Sequence, residues 1–140
     1  MKKLQVWISA CRLRTLPLSI SGAIVGSGVA YSMGLFNLTV FVFTILTTLS
    51  FQILSNLAND YGDGVKGTDN ENRIGPERAL QSGIISPKQM RNAIIVNVII
   101  CLLLVLALVY QAFGADQFIT SSVFIVLGVL AIIAAIKYTI

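Results

Sequence analysis

The fold is decided by residues 15–59, TLPLSISGAIVGSGVAYSMGLFNLTVFVFTILTTLSFQILSNLAN, which contain no charged side chain. A helix rises about 1.5 Å per residue, so about 20 apolar residues cross the roughly 30 Å of hydrocarbon in a bilayer. The uncharged stretch is more than twice that length, and Gly34 and Asn37 mark a turn inside it. It therefore predicts two membrane spans, at about 15–34 and 38–58.

Two further uncharged stretches follow in the second half of the chain, at about 92–115 and 117–136. They predict a third and a fourth span. Of the 140 residues, 56% are hydrophobic and only 11% are charged, a composition that excludes an ordinary soluble domain. The predicted fold class is an all-α, polytopic membrane helical bundle with four transmembrane helices.

The positive charges predict how the chain is oriented. Lys and Arg lie near the N-terminus, in the loop 60–91 and at Lys137, whereas the short turns near residues 35 and 115 contain none. By the positive-inside rule, the N-terminus and the loop 60–91 are predicted to be cytoplasmic, with the spans in the cell (inner) membrane.

Residues 2–13 are predicted to form an interfacial amphipathic helix. Leu4, Trp7, Ile8 and Cys11 share one face at helical spacing, and Trp7 would anchor the helix at headgroup level. The basic residues of this segment are expected to face anionic lipid headgroups, since no basic stripe with interleaved aromatic residues indicates nucleic acid as a partner. These basic residues are Lys2, Lys3, Arg12 and Arg14.

Helix ends and helix packing also leave signals in the sequence. Pro17 suits the first turn of the first span, and Ser86 with Gln89 forms a capping box that predicts a helix continuing into the third span. Small residues repeat every four positions in the first span, which favours close approach of another helix. These small residues are Gly22, Gly26, Ala30 and Gly34.

Two residue types restrict the chemistry. The chain has no histidine, which excludes zinc sites and acid–base catalysis built on histidine. Cys11 lies in the interfacial segment and Cys101 in an apolar span, so free thiols are predicted rather than a disulfide or a metal site.

The loop 60–91 holds most of the charged side chains, between two spans that have none. If the second helix continues into this loop, Asn56, Asn59, Asp60 and Asp63 lie on one face. Carboxylates one turn apart repel each other unless a cation lies between them, and hard oxygen ligands favour Mg²⁺ or Ca²⁺. Polar groups at membrane depth indicate a functional site.

Three glycines, Gly62, Gly64 and Gly67, are expected to loosen the helix. That would let Asp69 reach the same metal and leave backbone N–H groups for an anion.

Basic residues follow at distances that allow them to face the same cleft; they are Lys66, Arg73 and Arg78. Cations beside metal-binding carboxylates indicate an anionic ligand that touches both. A diphosphate fits, because Mg²⁺ can grip its oxygens while Arg and Lys neutralise the remaining charge. The alternative is a solvated loop whose acidic and basic side chains only balance each other.

Other motifs fit less well. An EF-hand needs oxygen ligands where Gly62 and Val65 stand, and Gly64 to Gly67 lack the rest of a P-loop. Asp60, Asp63 and Gly64 match the first half of the membrane CDP-alcohol phosphotransferase signature, but the Ala-Arg pair expected next is missing.

The motif Asn59-Asp60-Tyr61-Gly62-Asp63, followed by Asp69, resembles the first Asp-rich motif of the UbiA superfamily of intramembrane aromatic prenyltransferases. Its context resembles the branch that prenylates 1,4-dihydroxy-2-naphthoate in menaquinone biosynthesis. The resemblance covers essentially all 140 residues.

The resemblance implies an all-α membrane enzyme that uses Mg²⁺ to transfer a polyprenyl group from polyprenyl diphosphate to an aromatic acceptor. It implies a metal set of Asn59, Asp60, Asp63 and Asp69. It implies a diphosphate-binding set of Asn56, Asn59, Lys66, Arg73 and Arg78. Asp60, Asp63 and Lys66 are the residues expected to be catalytic.

Members of this superfamily have about twice as many helices and a second Asp-rich motif. Residues 1–140 are therefore expected to be the N-terminal part of a single, larger UbiA-type domain, inactive without the missing C-terminal half. Three other functions stay open: prenylation of a different aromatic acceptor, half of an ion or solute transporter, and a non-catalytic membrane subunit.

Overall fold

The computed structural model describes residues 2–67 and 78–138. Every regular element in these residues is helical, which confirms the all-α prediction. The elements are α1 (Lys3–Ala10), a 3-10 turn (Leu13–Thr15), α2 (Leu16–Ser32), α3 (Leu38–Lys66), α4 (Pro87–Phe113) and α5 (Phe118–Lys137).

Four helical stretches are long and apolar enough to cross a membrane. They are Lys3–Ser32, Leu38–Lys66, Pro87–Phe113 and Phe118–Lys137. The four predicted spans each lie on one of them, so the chain is a multi-pass membrane protein.

Helix α3 is the centre of the bundle, because it packs against α1, α2, α4 and α5. Its side chains Leu54 and Leu57 are buried in one hydrophobic cluster with Met90 and Ile94 of α4. Ile132 of α5 belongs to the same cluster. The core therefore lies around the C-terminal half of α3, next to the predicted site.

The loop predicted at 60–91 is shorter in the structure. Helix α3 continues to Lys66, and α4 already begins at Pro87. The charged residues mark where the chain leaves hydrocarbon, and a helix does not have to end there. The Ser86 capping box is confirmed, since Ser86 and Gln89 exchange side-chain-to-backbone hydrogen bonds in both directions.

The expectation that three glycines loosen α3 is wrong for two of them. The helix passes through Gly62 and Gly64 and ends only at Gly67, which adopts a left-handed conformation at φ 70°. The N–H of Gly67 donates to the Asp63 carbonyl and caps the helix.

The length of α3 sets the depth of its charges. Its 29 residues span about 44 Å, against about 30 Å of hydrocarbon. If the hydrocarbon begins at Leu38, about 20 residues cross it, and Asp60 and Asp63 are expected just beyond it on a helix that has not yet ended.

The N-terminal helix is shorter than predicted and buries a different face. Helix α1 covers only Lys3–Ala10 of the predicted 2–13 segment, and its buried residues are Val6 and Ala10. Leu4 and Ile8 of the predicted apolar face are exposed, as expected of side chains that touch lipid rather than protein. The pattern of residues alone did not show that α1 has a protein-facing side as well.

The glycines of the small-residue stripe do not lie in close contact with another helix of the described chain. A side-chain carbon built at Gly22, Gly26 or Gly34 would meet nothing within 4 Å among the described residues. Close helix approach instead occurs at Gly128 of α5, where such a carbon would lie 2.7 Å from Val105 of α4.

A buried polar contact joins α3 to α4. The Asn97 amide donates to the Ser50 carbonyl at 3.0 Å and accepts from the Ser50 hydroxyl at 3.1 Å. The same hydroxyl lies 3.1 Å from Sγ of Cys101. Cys11 and Cys101 are both free thiols, as predicted. Inside an apolar bundle such a paired contact fixes the register of the two helices.

We expect Asn97→Ala to lower the free energy of unfolding by about 1–2 kcal/mol, because both hydrogen bonds to Ser50 are lost. Unfolding in mixed micelles titrated with SDS, followed by circular dichroism, measures the change. Asn92→Ala is the matched control, since Asn92 is exposed on the same helix. If the two substitutions lower the free energy of unfolding equally, the Asn97–Ser50 contact does not stabilise the bundle.

Candidate active site

The predicted acidic face is present at the end of α3. Asn56 and Asp60 are buried, Asp60 to 2% exposure, and Asn59 and Asp63 are partly buried. Because α3 stays helical through Asp63, the two carboxylates lie one turn apart, as the spacing of three residues requires.

Arg78 lies against both carboxylates. Its Nη2 is 3.2 Å from Oδ2 of Asp63, and its Nη1 is 3.8 Å from Oδ1 of Asp60. The next residue, Ala79, donates its backbone N–H to Oδ2 of Asp60 at 3.2 Å. A buried carboxylate is costly unless it is paired and hydrogen-bonded, and the segment at residues 78–79 supplies both kinds of partner.

Gly64 allows this segment to lie directly on α3. A side-chain carbon at Gly64 would be 2.7 Å from Cδ1 and 2.9 Å from Cβ of Leu80. Any larger residue would push Leu80 away, together with the neighbouring Arg78 and Ala79. The glycine was expected to loosen the helix, and its observed role is to permit a close approach.

Asn56 connects α3 to the N-terminal turn, and its predicted role in binding diphosphate stays a prediction. Its Nδ2 donates to the Cys11 carbonyl at 2.9 Å and to the Thr15 hydroxyl at 3.3 Å. Its Oδ1 accepts from Gln52 at 3.3 Å. All three contacts of this buried amide are within the protein, so Asn56 positions the turn at the edge of the site.

A cavity of about 420 Å³ lies between this turn and the Asp60–Arg78 pair. Its charged lining consists of Arg12, Arg14, Arg78 and Asp60, a net positive surface. The remaining lining residues are Ile8, Ser9, Ala10, Leu13, Thr15 and Ala79. The arrangement can hold a small anionic group beside a buried carboxylate.

The sequence prediction for Arg12 is therefore wrong in part. Arg12 was expected to face lipid headgroups, but its side chain is partly buried and lines the cavity. A basic residue near the N-terminus of a membrane protein usually faces headgroups, so composition could not reveal this position. A sequence signal next to this position is that Arg14-Thr15-Leu16-Pro17 also resembles the UbiA superfamily, although Arg12 is not part of that motif.

The other predicted site residues divide into two groups. Asn59 follows Asn56 on α3, and Lys66 is exposed at the last position of that helix. Asp69 and Arg73 lie outside the described residues, so their predicted roles as metal ligand and diphosphate ligand stay predictions.

The described part of the site holds oxygen donors of the kind that bind a divalent metal ion. Across residues 2–67 and 78–138, no three acidic, histidine or cysteine side chains cluster to hold a metal ion. The hard oxygens of Asp60, Asp63 and Asn59 are nevertheless of the kind that Mg²⁺ prefers. Mg²⁺ commonly uses one or two protein carboxylates and takes its other ligands from phosphate and water, so this donor set fits it.

A sequence model of the UbiA prenyltransferase family matches residues 19–140. The chain belongs to this family. The match includes all of α3, α4 and α5, and with them the Asn59 to Asp63 motif.

Three relatives of this chain carry the same name. The 1,4-dihydroxy-2-naphthoate octaprenyltransferase of Escherichia coli is 44% identical over 136 residues, which are 97% of this chain and 44% of that protein. The Haemophilus influenzae protein of the same name is 41% identical and is covered to 45% of its length. The Mycobacterium tuberculosis protein of that name is 33% identical over 87 residues.

The chain thus spans a little under half the length of the curated relatives that it matches most fully. No solved structure matches it.

We expect Asn56→Ala to loosen the N-terminal turn, because the hydrogen bonds to Cys11 and Thr15 disappear. The rate of maleimide labelling of Cys11, which is partly buried, should rise about fivefold or more. Cys101 is fully buried and serves as the internal reference. Asn92→Ala should leave the labelling rate of Cys11 unchanged. If Asn56→Ala also labels Cys11 at the wild-type rate, the Asn56 amide does not hold the turn.

Proposed function

We propose that this chain forms the donor-binding part of an enzyme that transfers a polyprenyl group from its diphosphate to 1,4-dihydroxy-2-naphthoate in menaquinone biosynthesis. The observation that carries the proposal is the buried carboxylate of Asp60, one turn from Asp63 and beside Arg78, at the membrane end of α3. The names of the relatives support the choice of acceptor.

The donor diphosphate would bind at the cavity next to Asp60. Asp60, Asp63 and Asn59 would hold Mg²⁺, with Asp69 as the further carboxylate that the motif provides. Arg78 now neutralises both carboxylates, and once a divalent cation takes over that role its guanidinium can donate to phosphoryl oxygens. Lys66 supplies a second positive charge from the end of α3.

The chemistry begins with cleavage of the allylic C–O bond, whose electron pair leaves with the diphosphate. Mg²⁺, when bound, would stabilise the negative charge that develops on that leaving group. Arg78 and Lys66 would neutralise the rest of this charge. The electron-rich acceptor ring then forms a C–C bond to the allylic cation at the carbon that bears the carboxylate. Loss of that carboxylate as CO₂ leaves the electron pair of its C–C bond in the ring, which restores aromaticity.

We further propose that the site faces the cytoplasm of the cell (inner) membrane, which the positive-inside rule supports. Catalysis would also need a second part of the enzyme, because the chain covers only 44–45% of its most fully matched relatives. In that second part we expect the other acidic motif and the remaining helices that cover α2 and α5.

The metal role can be tested with Asp60→Asn and Asp63→Asn, which keep the side-chain shape. Each substitution is expected to weaken the Mg²⁺-dependent binding of inorganic pyrophosphate to the chain in lipid nanodiscs by about 10- to 100-fold. Isothermal titration calorimetry measures the affinity. Asp60→Asn retains an oxygen that can accept from Ala79, so helicity by circular dichroism should be unchanged.

Asp116→Asn is the matched control, since Asp116 is an exposed carboxylate beyond the far end of α4. It should bind pyrophosphate like the wild type. Wild-type affinity that does not depend on Mg²⁺, or that survives both site substitutions, would overturn the metal role.

The reaction itself can be tested with a chimera in which residues 1–140 replace the matching part of the Escherichia coli relative. The chimera is expected to prenylate 1,4-dihydroxy-2-naphthoate, measured by chromatography of the lipid product, whereas residues 1–140 alone should give no product. A preference for 4-hydroxybenzoate would reject the acceptor, and turnover by residues 1–140 alone would reject the need for a second part.

A further inference from the structure

The N-terminal turn forms the cavity wall that lies across from Asp60 and Arg78. Within this turn, Arg12 has φ 49°, the one positive value at a non-glycine position among residues 2–67 and 78–138. A side chain disfavours this left-handed conformation, so it persists only where surrounding contacts impose it. Such positions concentrate at binding sites, where the strained backbone directs a side chain.

The contacts that impose the conformation come from α3 and from the turn itself. The Thr15 hydroxyl donates to the Arg12 carbonyl at 2.9 Å. The buried Asn56 amide holds the Cys11 carbonyl on one side of Arg12 and the Thr15 hydroxyl on the other. The turn is therefore fixed by the same helix that carries Asp60.

The guanidinium of Arg12 has unused hydrogen-bonding capacity. Its Nη2 is buried, and it has no hydrogen-bond partner among the described residues. A buried donor without an acceptor is costly, so such groups in native proteins normally meet a ligand or water. This donor belongs to a side chain that lines the 420 Å³ cavity.

The charges around the cavity indicate what the acceptor is. Arg12, Arg14 and Arg78 line it together with Asp60, so the lining attracts an anion. A guanidinium offers paired N–H donors in a planar fork that matches the oxygens of a phosphoryl group or a carboxylate. The neutral residues of the lining have no comparable pair of N–H donors on their side chains.

We propose that Arg12 is a substrate-binding residue that donates hydrogen bonds to an oxyanion in this cavity. This inference rests on the proposed function, in which the donor carries a diphosphate and the acceptor a carboxylate. Both are oxyanions, and the chemistry of the guanidinium suits either of them.

The test uses Arg12→Gly, because glycine adopts φ 49° freely while removing the side chain. In the full chain in nanodiscs, binding is measured separately with inorganic pyrophosphate plus Mg²⁺ and with 1,4-dihydroxy-2-naphthoate. Affinity for at least one probe should fall by about 10- to 100-fold. The thermal unfolding temperature should not fall, whereas a merely structural arginine would lower it.

Arg12→Lys keeps the positive charge but not the planar fork, and it should recover only part of the affinity. Arg91→Gln is the charge control, since Arg91 is exposed on α4. It should bind both probes like the wild type. A loss confined to pyrophosphate assigns Arg12 to the prenyl donor, and a loss confined to the naphthoate assigns it to the acceptor.

Unchanged affinity of Arg12→Gly for both probes would overturn the inference while leaving the proposed function intact. If the wild type itself binds neither probe, the proposed function fails and the role of Arg12 fails with it. A lowered unfolding temperature with unchanged affinities would make Arg12 a structural residue.

Discussion

A carboxylate buried near the C-terminal end of a membrane-spanning helix is the constraint on which the rest of this structure depends. Asp60 is 2% exposed, and an unpaired charge in that position would be too costly to keep. The backbone N–H of Ala79 and the guanidinium of Arg78 meet that cost. Gly64 makes their approach possible, because a larger residue would collide with Leu80.

The bundle holds this carboxylate through a single long helix. Helix α3 contacts each of the other four helices, and polar contacts fix it on two sides. Asn97 holds it from α4, and its own Asn56 holds the N-terminal turn. The two walls of the cavity, the Asp60–Arg78 pair and the N-terminal turn, are therefore both attached to α3. Attachment to one helix limits how far the two walls can move relative to each other.

The sequence predicted what depends on composition and spacing. The four spans follow from uncharged stretches, and the shared face of Asp60 and Asp63 follows from helical spacing. It did not predict contacts between distant residues: the Asn56 bonds to Cys11 and Thr15, or the burial of Arg12. The charged residues also did not show that α3 continues to Lys66. They indicate where the chain leaves the hydrocarbon, whereas the helix ends at the Gly67 cap. The family motif predicted a site at the acidic residues, and the structure adds that Asn56 holds the N-terminal turn.

The central claim is that the Asp60 and Asp63 carboxylates bind a divalent cation together with a diphosphate, displacing Arg78 onto the phosphoryl oxygens. A crystal structure of the chain in lipid with Mn²⁺ and pyrophosphate, phased on the anomalous signal of the metal, tests it most directly. The account predicts an anomalous peak at coordination distance, about 2.0–2.3 Å, from both carboxylates, with Arg78 on the diphosphate. An anomalous peak elsewhere, with Arg78 still paired to Asp63, would contradict it.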